Sequence, residues 1–278
     1  MSLTPDGEDP VSLLHRAMDG GINYFDTADI YQDGWNEEVL GRAIQGRRDD
    51  VIVATKVGNQ RRADGSGLDW NPSKQHILAS VDKSLQRLNT DYIDLYQLHG
   101  GTYQDNIAET IEAFETLMQL GKIRYYGISS IRPNVIREYV ERSKMVSVMM
   151  QYSLLDRRPE EEALGLLQEH EISVLARGTL ASGLLTGKPA KPYLGHDEQA
   201  VRDTAERVRQ FSDNNRGPAA TATRFVLNHS AVTSAVIGIR TGAQLDEALA
   251  IPDSRNLSQG SSDALRKYIE AKKYTDHR

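Results

Sequence analysis

The sequence contains no cysteine, and this absence excludes several kinds of chemistry. Disulfide bridges, zinc sites with thiolate ligands and cysteine nucleophiles all require the missing side chain. The seven histidines are scattered, and none is followed by a second histidine at the spacing that a helical metal site needs. We therefore predict a fold stabilised by packing, without a metal site.

An excess of basic residues and long apolar runs are also missing. Lysine and arginine number 33 against 39 acidic residues, a formal net charge of −6, which leaves no basic footprint for a nucleic acid. No segment reaches the roughly 20 apolar residues of a transmembrane helix, and the first residues lack the pattern of a secretion signal. We predict a soluble cytoplasmic protein with no nucleic-acid or membrane partner, present as a monomer or a weak homo-oligomer.

Short runs rich in β-branched and aromatic residues alternate with segments of helical periodicity. In the segment Ser73–Leu88, for example, the apolar residues recur on one helical face. The helix starts are marked by Asp9-Pro10, by Asn71-Pro72-Ser73 and by Arg158-Pro159. The predicted strands are Ile22–Ala28, Val51–Val57, Tyr92–His99, Tyr125–Ser129, Ser147–Tyr152, Ser173–Gly178 and Ser234–Gly238.

This alternation predicts an α/β fold, a (β/α)8 TIM-type barrel that forms a single domain over residues 1–278. Seven full strands are visible, so we expect the first strand to be truncated, with Met1-Ser2-Leu3 as its last residues. Residues upstream would complete it. The stretch from Thr186 to His196, with two prolines and two glycines, is predicted to be a mobile loop.

Polar residues at the carboxyl ends of barrel strands are candidates for catalysis, because the strand ends meet at one rim. Four such residues stand out: Asp26, Tyr31, Lys56 and His99. An ammonium group beside a phenol favours the phenolate, and a carboxylate holds the ammonium in place. Together they would make a poised proton donor. Taken singly, each residue is as well explained as a polar strand terminus.

The motifs around these residues resemble the aldo-keto reductases. The resemblance covers the chain from Met1 to about Ala250 and includes Asp26-Thr27-Ala28-Asp29-Ile30-Tyr31, Asp91-Tyr92-Ile93-Asp94-Leu95-Tyr96-Gln97-Leu98-His99 and Gly121-Lys122-Ile123-Arg124. It implies NADPH-dependent reduction of an aldehyde or ketone by a catalytic tetrad of Asp26, Tyr31, Lys56 and His99. In that tetrad Tyr31 is the general acid, Lys56 and Asp26 tune it, and His99 orients the substrate.

The resemblance also implies a set of NADPH-binding residues. Ser129, Ser130 and Gln151 match positions that hold the nicotinamide carboxamide, and Leu180 to Leu184, with Gly183 at its centre, matches the loop that meets the pyrophosphate. The segment that resembles the 2′-phosphate site contains Gly238, Arg240, Thr241 and Gln244. Arg240 suits a phosphate dianion, which favours NADPH over NADH.

Arg177 stands where many members of the family place an aromatic residue that stacks on the nicotinamide. With His99-Gly100-Gly101, it resembles a bacterial subgroup of the family. Trp35, Trp70 and Tyr103 follow predicted strands, where they either wall a pocket for an apolar carbonyl compound or cap loops against helices.

Two other functions remain open at the level of the sequence. A regulatory subunit would retain NADPH with little turnover, because one fold carries many functions. A barrel aldolase would use Lys56 as a Schiff-base nucleophile.

Overall fold

The computed structural model describes residues 3–5 and 7–278, and the chain forms two compact units. Unit 1 comprises Met1–Val148 and Ile239–Gly242, and unit 2 comprises Met149–Gly238 and Ala243–Arg278. Of the segment predicted as the end of a truncated first strand, Met1 and Ser2 lie outside the described residues. That residues 1–278 form a single domain remains a prediction.

Unit 1 is built on four parallel strands, which lie side by side in the sheet in the order β1 (Tyr24–Asp26), β2 (Ile52–Val57), β5 (Ile93–Leu98) and β6 (Ile123–Ser129). In the register, Asp26 of β1 is opposite Ala54 of β2, and Lys56 of β2 is opposite Gln97 of β5. A small antiparallel hairpin adds β3 (Asn59–Arg61) and β4 (Leu68–Trp70).

The helices of unit 1 begin close to the capping signals. Asp9 caps the first helix by accepting a hydrogen bond from the Ser12 backbone N–H at 3.1 Å, as the Asp9-Pro10 pair predicts. The third helix begins at Lys74, later than Pro72, because Ser73 is its cap. The helices are α1 (Pro10–Asp19), α2 (Trp35–Ala43), α3 (Lys74–Leu88), α4 (Ile107–Gln119) and α5 (Pro133–Arg142).

The core of unit 1 lies between these helices and the sheet. All six residues of β5 are buried, as expected for a parallel strand covered on both faces. On α3, Ile77, Val81 and Leu88 are fully buried, whereas Leu85 of the predicted face is half-buried. The predicted buried face of α3 is thus confirmed, with Leu85 at its edge.

Unit 2 contains strands in the order β7-β8-β9, and β8 runs parallel to β9. The strands are β7 (Ser147–Gln151), whose first two residues belong to unit 1, β8 (Ser173–Arg177) and β9 (Val232–Val236). The helices are α6 (Ala163–Glu169), α7 (Glu198–Gln210), α8 (Pro218–Leu227), α9 (Gly242–Leu249, whose first residue belongs to unit 1) and α10 (Gln259–Tyr268).

Two local predictions for unit 2 differ from the structure. The start predicted at Arg158-Pro159 is a 3-10 turn, Arg158–Glu161, and α6 begins only at Ala163. The reason is that Glu162, between the turn and α6, has a non-helical backbone with φ of −151° and ψ of −35°. The last strand begins two residues earlier than predicted, at Val232. No helix in residues 3–5 and 7–278 combines the length and apolar character of a membrane span.

Candidate active site

The four predicted catalytic residues all lie at carboxyl ends of strands in unit 1 or just beyond them. Asp26 is the last residue of β1, Lys56 is the penultimate residue of β2, and His99 directly follows β5. Tyr31 begins a 3-10 turn, Tyr31–Gly34, after β1. Because β1, β2 and β5 are parallel neighbours, their carboxyl ends meet at one edge of the sheet.

Lys56 and Asp26 form a buried ion pair at this edge. The side chain of Lys56 is 1% exposed, and its Nζ donates to Asp26 Oδ1 and, at 2.7 Å, to the carbonyl oxygen of Thr27. The other oxygen of Asp26 accepts a bond from Gln97 Nε2 at 3.2 Å. A buried charge is costly unless it is paired and hydrogen-bonded, so this arrangement fixes both charged side chains.

Tyr31 and His99 lie beside this pair. Their rings meet edge to face, with centroids 5.8 Å apart and planes at 80°. The ammonium of Lys56 is 5.2 Å from the centroid of the Tyr31 ring. The structure therefore brings the four predicted residues together, and adds Gln97, which the sequence analysis did not single out.

The turn that carries Tyr31 has an unusual backbone. The Tyr31 N–H donates to the carbonyl oxygen of Ala28 at 3.1 Å, and the next three residues, Gln32, Asp33 and Gly34, all have positive φ. A Cβ on Gly34 would lie 2.5 Å from Cδ of Arg87. Two features favour glycine at this position: the positive φ of 90°, and the close approach of the Arg87 side chain.

Two further acidic residues, Asp29 and Glu37, lie on either side of this turn in the sequence. Glu37 is fully buried and accepts bonds from Thr55 Oγ1 and Arg87 Nε, both at 2.6 Å. Burial, reinforced by the charge of Glu37, raises the pKa of Asp29 to about 7, against the opposing charge of Arg87. Sequence analysis missed these groups because their partners come from distant segments.

The predicted cofactor residues of unit 1 occupy two segments. Ser129 ends β6 and is buried with Ser130, whose Oγ accepts a bond from the Arg132 backbone N–H at 3.2 Å. Arg240 and Thr241 are exposed in the segment before α9. Gly242, at the start of that helix, donates its N–H to Glu8 Oε2 at 2.9 Å.

Unit 2 contains a chain of polar side chains at the ends of β7 and β8. Arg177 Nη1 donates to Gln151 Oε1 at 3.2 Å, and Gln151 Nε2 donates to Tyr193 Oη at 2.7 Å. All three residues are half-buried. Two of them, Gln151 and Arg177, are predicted cofactor residues, whereas Tyr193 lies in the segment predicted to be a loop. Gly238 and Gln244 are exposed.

The predicted pyrophosphate loop of unit 2 has an irregular backbone. Ala181, Ser182 and Gly183 have positive φ values of 47°, 59° and 90°. Successive peptide groups in such conformations can form a concavity that binds anions. The aliphatic part of Lys188 lies over Gly183, where a Cβ would be 2.9 Å from Cδ of the lysine. Within this segment the N–H of Ala181 donates to the carbonyl oxygen of Gly178 at 2.8 Å, and the N–H of Gly183 donates to that of Leu180 at 2.9 Å.

The sequence matches the profile of the aldo/keto reductase family over residues 4–270. An uncharacterized oxidoreductase of Bacillus subtilis, YqkF, is 47% identical over all of this chain and 93% of its own length. The NADH-specific methylglyoxal reductase of Escherichia coli is 31% identical over 95% of this chain and 87% of its own. The chain belongs to the aldo-keto reductase family.

A solved structure supports the same assignment. The holo form of aldo-keto reductase AKR11C1 from Bacillus halodurans matches with a TM-score of 0.90 and 45% identity, covering all of this chain and 92% of that one. The fold is therefore the α/β TIM-type barrel of the family, as the alternation of strands and helices predicts. This is an oxidoreductase family.

Proposed function

We propose that the protein reduces an aldehyde or ketone to an alcohol with NADPH as the hydride donor. The observation that carries this proposal is the buried Lys56–Asp26 pair beside Tyr31 and His99. A fixed cation next to a phenol is suited to delivering a proton to a carbonyl oxygen as that oxygen gains negative charge.

Each residue of the tetrad has a separate role in the proposed reaction. Tyr31 donates its phenolic proton to the carbonyl oxygen, and Lys56 stabilises the phenolate that remains. Asp26 keeps Lys56 in position, with Gln97 bonded to its second oxygen. His99, in edge-to-face contact with Tyr31, orients the carbonyl group.

The cofactor-binding roles follow the resemblance residue by residue. Ser129, Ser130 and Gln151 hold the carboxamide, and the segment from Leu180 to Leu184 meets the pyrophosphate through its backbone N–H groups. The bound nicotinamide supplies the hydride. Gly238, Arg240, Thr241 and Gln244 form the segment for the adenosine 2′-phosphate, and the guanidinium of Arg240 selects NADPH over NADH. All of these residues belong, in this proposal, to one catalytic domain over residues 1–278.

Arg177 takes the position of the stacking aromatic residue in this proposal. A planar guanidinium stacks on a ring, but its charge repels an oxidised, cationic nicotinamide. The bond from Arg177 to Gln151 supports this role, because Gln151 is the residue assigned to the carboxamide. With Arg177 in this role, the proposal assigns the protein to the arginine-bearing subgroup of the family.

A turnover assay tests the proposed function. The purified protein is mixed with a panel of aldehydes and ketones, and oxidation of NADPH and of NADH is followed at 340 nm. We expect carbonyl-dependent oxidation with a preference for NADPH. Nucleotide binding without carbonyl-dependent oxidation across the panel would contradict the proposal and favour a regulatory subunit. A preference for NADH would contradict only the proposed role of Arg240 in selecting NADPH, and not the reduction of a carbonyl compound.

A further inference from the structure

Asp29 lies in the short connection between two tetrad residues, Asp26 at the end of β1 and Tyr31. Its backbone N–H donates to the carbonyl oxygen of Lys56 in β2 at 3.5 Å. Two residues later, the Tyr31 N–H donates to the carbonyl oxygen of Ala28 at 3.1 Å. The main chain of Asp29 therefore lies against Lys56 and leads directly into the turn that carries Tyr31.

The carboxyl group of Asp29 is enclosed, and one of its oxygens has no hydrogen-bond partner. Its Oδ1 is shielded from solvent and accepts no hydrogen bond in the described part of the chain. The guanidinium of Arg87 is engaged elsewhere, because its Nε donates to Glu37 Oε2 at 2.6 Å and its Nη2 to Ser84 Oγ at 3.3 Å. Glu37 is fully buried and also accepts a bond from Thr55 Oγ1 at 2.6 Å. Two carboxyl groups thus share one arginine, and Glu37 is the one bonded to it.

Four elements bring charged or titratable groups towards Asp29: β2 brings Lys56, β5 brings Tyr96, α2 brings Glu37 and α3 brings Arg87. Burial is the largest influence and, with the charge of Glu37, raises the pKa of Asp29 to about 7 against the opposing charges of Arg87 and Lys56. Burial also raises the pKa of the Tyr96 phenol, so this neighbour stays neutral. Asp29 therefore changes its charge near neutral pH, inside a closed cluster.

A negative charge on Asp29 acts on the ammonium of Lys56. That side chain is 1% exposed and already paired with Asp26, and its Nζ lies 5.2 Å from the centroid of the Tyr31 ring. Charges interact strongly in an interior that excludes water, because the effective dielectric constant is low. A second carboxylate near Lys56 cancels part of the positive potential at Tyr31. The phenolate that remains after proton transfer is then less stable.

We propose that Asp29 is a positioning residue that acts on Tyr31 through Lys56, and that reduction is fastest when the Asp29 carboxyl group is neutral. This inference rests on the proposed function and adds a pH control to it. Ionisation of Asp29 releases its proton to solvent, and that proton is distinct from the one that Tyr31 transfers to the carbonyl oxygen. Above neutral pH the bound substrate should therefore be reduced more slowly, although every residue of the tetrad is intact.

The ratio of two rates across pH tests this inference. Asp29→Asn keeps the shape of the neutral carboxyl group at every pH, and effects of pH on the groups common to both forms cancel in the ratio. The rate of hydride transfer to 4-nitrobenzaldehyde is measured in single turnovers with saturating NADPH. The ratio of Asp29→Asn to wild type should be close to one at about pH 6 and rise to about two- to fivefold at about pH 8, the scale expected of one charge acting through the protein interior.

Two further variants serve as controls. Glu38→Gln removes an exposed carboxylate of α2, next to Glu37, and its ratio to wild type should stay near one at each pH. Asp29→Ala is also neutral at every pH and keeps the inference testable if Asp29→Asn does not fold. A ratio that does not change with pH, whatever its value, would overturn the inference, because a purely structural role of Asp29 changes the rate equally at every pH.

A spectroscopic measurement separates this inference from the proposed function. The 12 tyrosines are labelled with ¹³C in the ring, and Tyr31→Phe identifies the signal of Tyr31 by its loss. We expect that signal to shift between about pH 6 and about pH 8 in the wild type and to lose this shift in Asp29→Asn. Absence of the shift in the wild type, or its persistence in Asp29→Asn, would overturn the inference even if the enzyme turns over. Loss of the shift in a protein without carbonyl-dependent oxidation would instead support the coupling and contradict the proposed function.

Discussion

The cluster of Lys56, Asp26 and Gln97 differs in kind from the chain of Gln151, Arg177 and Tyr193. The first is at most 8% exposed, lies on regular strands and is closed by hydrogen bonds to buried groups. The second is half-buried and includes a residue from a segment without a named helix or strand. The buried cluster is therefore held in one arrangement, whereas the half-buried side chains of the second group can adopt other conformations.

This difference matches what the two regions do in the proposed reaction. A proton donor must be held close to its productive geometry, and buried pairing on rigid strands achieves this. A binding surface for a nucleotide must open and close around its ligand, so half-buried side chains and irregular backbone suit it. Substitutions in the first region should therefore affect chemistry, and substitutions in the second should affect nucleotide binding.

Tyr31→Phe gives the largest expected effect, because it removes the proton donor and keeps the ring against His99. We expect kcat to fall by about 10²–10⁴-fold. Calorimetric titration should give an unchanged Kd for NADPH. Turnover equal to that of the wild type, with chemistry rate-limiting, would remove Tyr31 from its assigned role.

Asp29→Asn tests the half-buried acid in the segment between β1 and Tyr31. Since the pKa of Asp29 in the folded protein is about 7, the native state holds a proton that the unfolded state loses above pH 4 or so. The free energy of unfolding of the wild type should thus fall by at most about 4 kcal/mol as the pH rises from about 4 to about 7. Above about pH 7 it should level off.

The Asp29→Asn variant should lack this dependence and be the more stable form at pH 8, as measured by urea unfolding. Asp33→Asn is the control, because the Asp33 side chain is 70% exposed and two residues from Tyr31. Parallel pH profiles for wild type and Asp29→Asn would show that Asp29 is ionised in the folded protein.

Arg240→Ala concerns nucleotide choice. Loss of a guanidinium from a phosphate site should weaken NADPH binding by about 1–3 kcal/mol, roughly 5- to 150-fold in Kd, and leave NADH nearly unchanged. Arg142→Ala, which removes a 45% exposed arginine of α5, is the control and should change neither Kd. Equal losses for the two nucleotides in Arg240→Ala would contradict the 2′-phosphate role.

Arg177→Tyr is expected to have the smallest effect. If the guanidinium repels the oxidised ring, tyrosine should tighten NADP⁺ more than NADPH, by roughly 1 kcal/mol or less, the range of an exposed cation–π contact. Titration calorimetry with both forms measures the difference. An identical change in Kd for NADP⁺ and NADPH would show that the charge of Arg177 does not distinguish the oxidised from the reduced ring.

The seven strands of the parallel sheet and two of the three marked helix starts could be predicted from the sequence. So could the proximity of Asp26, Tyr31, Lys56 and His99, because polar residues that end buried parallel strands share one rim. Gln97 could not, since whether a residue in a fully buried strand faces Asp26 depends on register. The two strands of the β3–β4 hairpin have only three residues each, too few for a recognisable pattern, so the packing of Trp70 against Gly58 and Gly100 could not be predicted. Tyr193 lies in a segment with no periodicity from which its partner could be inferred.

Transfer of deuterium from the cofactor tests the central claim most directly. The protein is mixed in a single turnover with 4-nitrobenzaldehyde and NADPH that carries deuterium at both C4 positions, and the product is analysed by mass spectrometry. We predict one deuterium on the carbinol carbon for each cofactor oxidised, and no Lys56 adduct after borohydride treatment. An intact cofactor, or an aldehyde trapped on Lys56, would contradict the assignment of this protein as a carbonyl reductase.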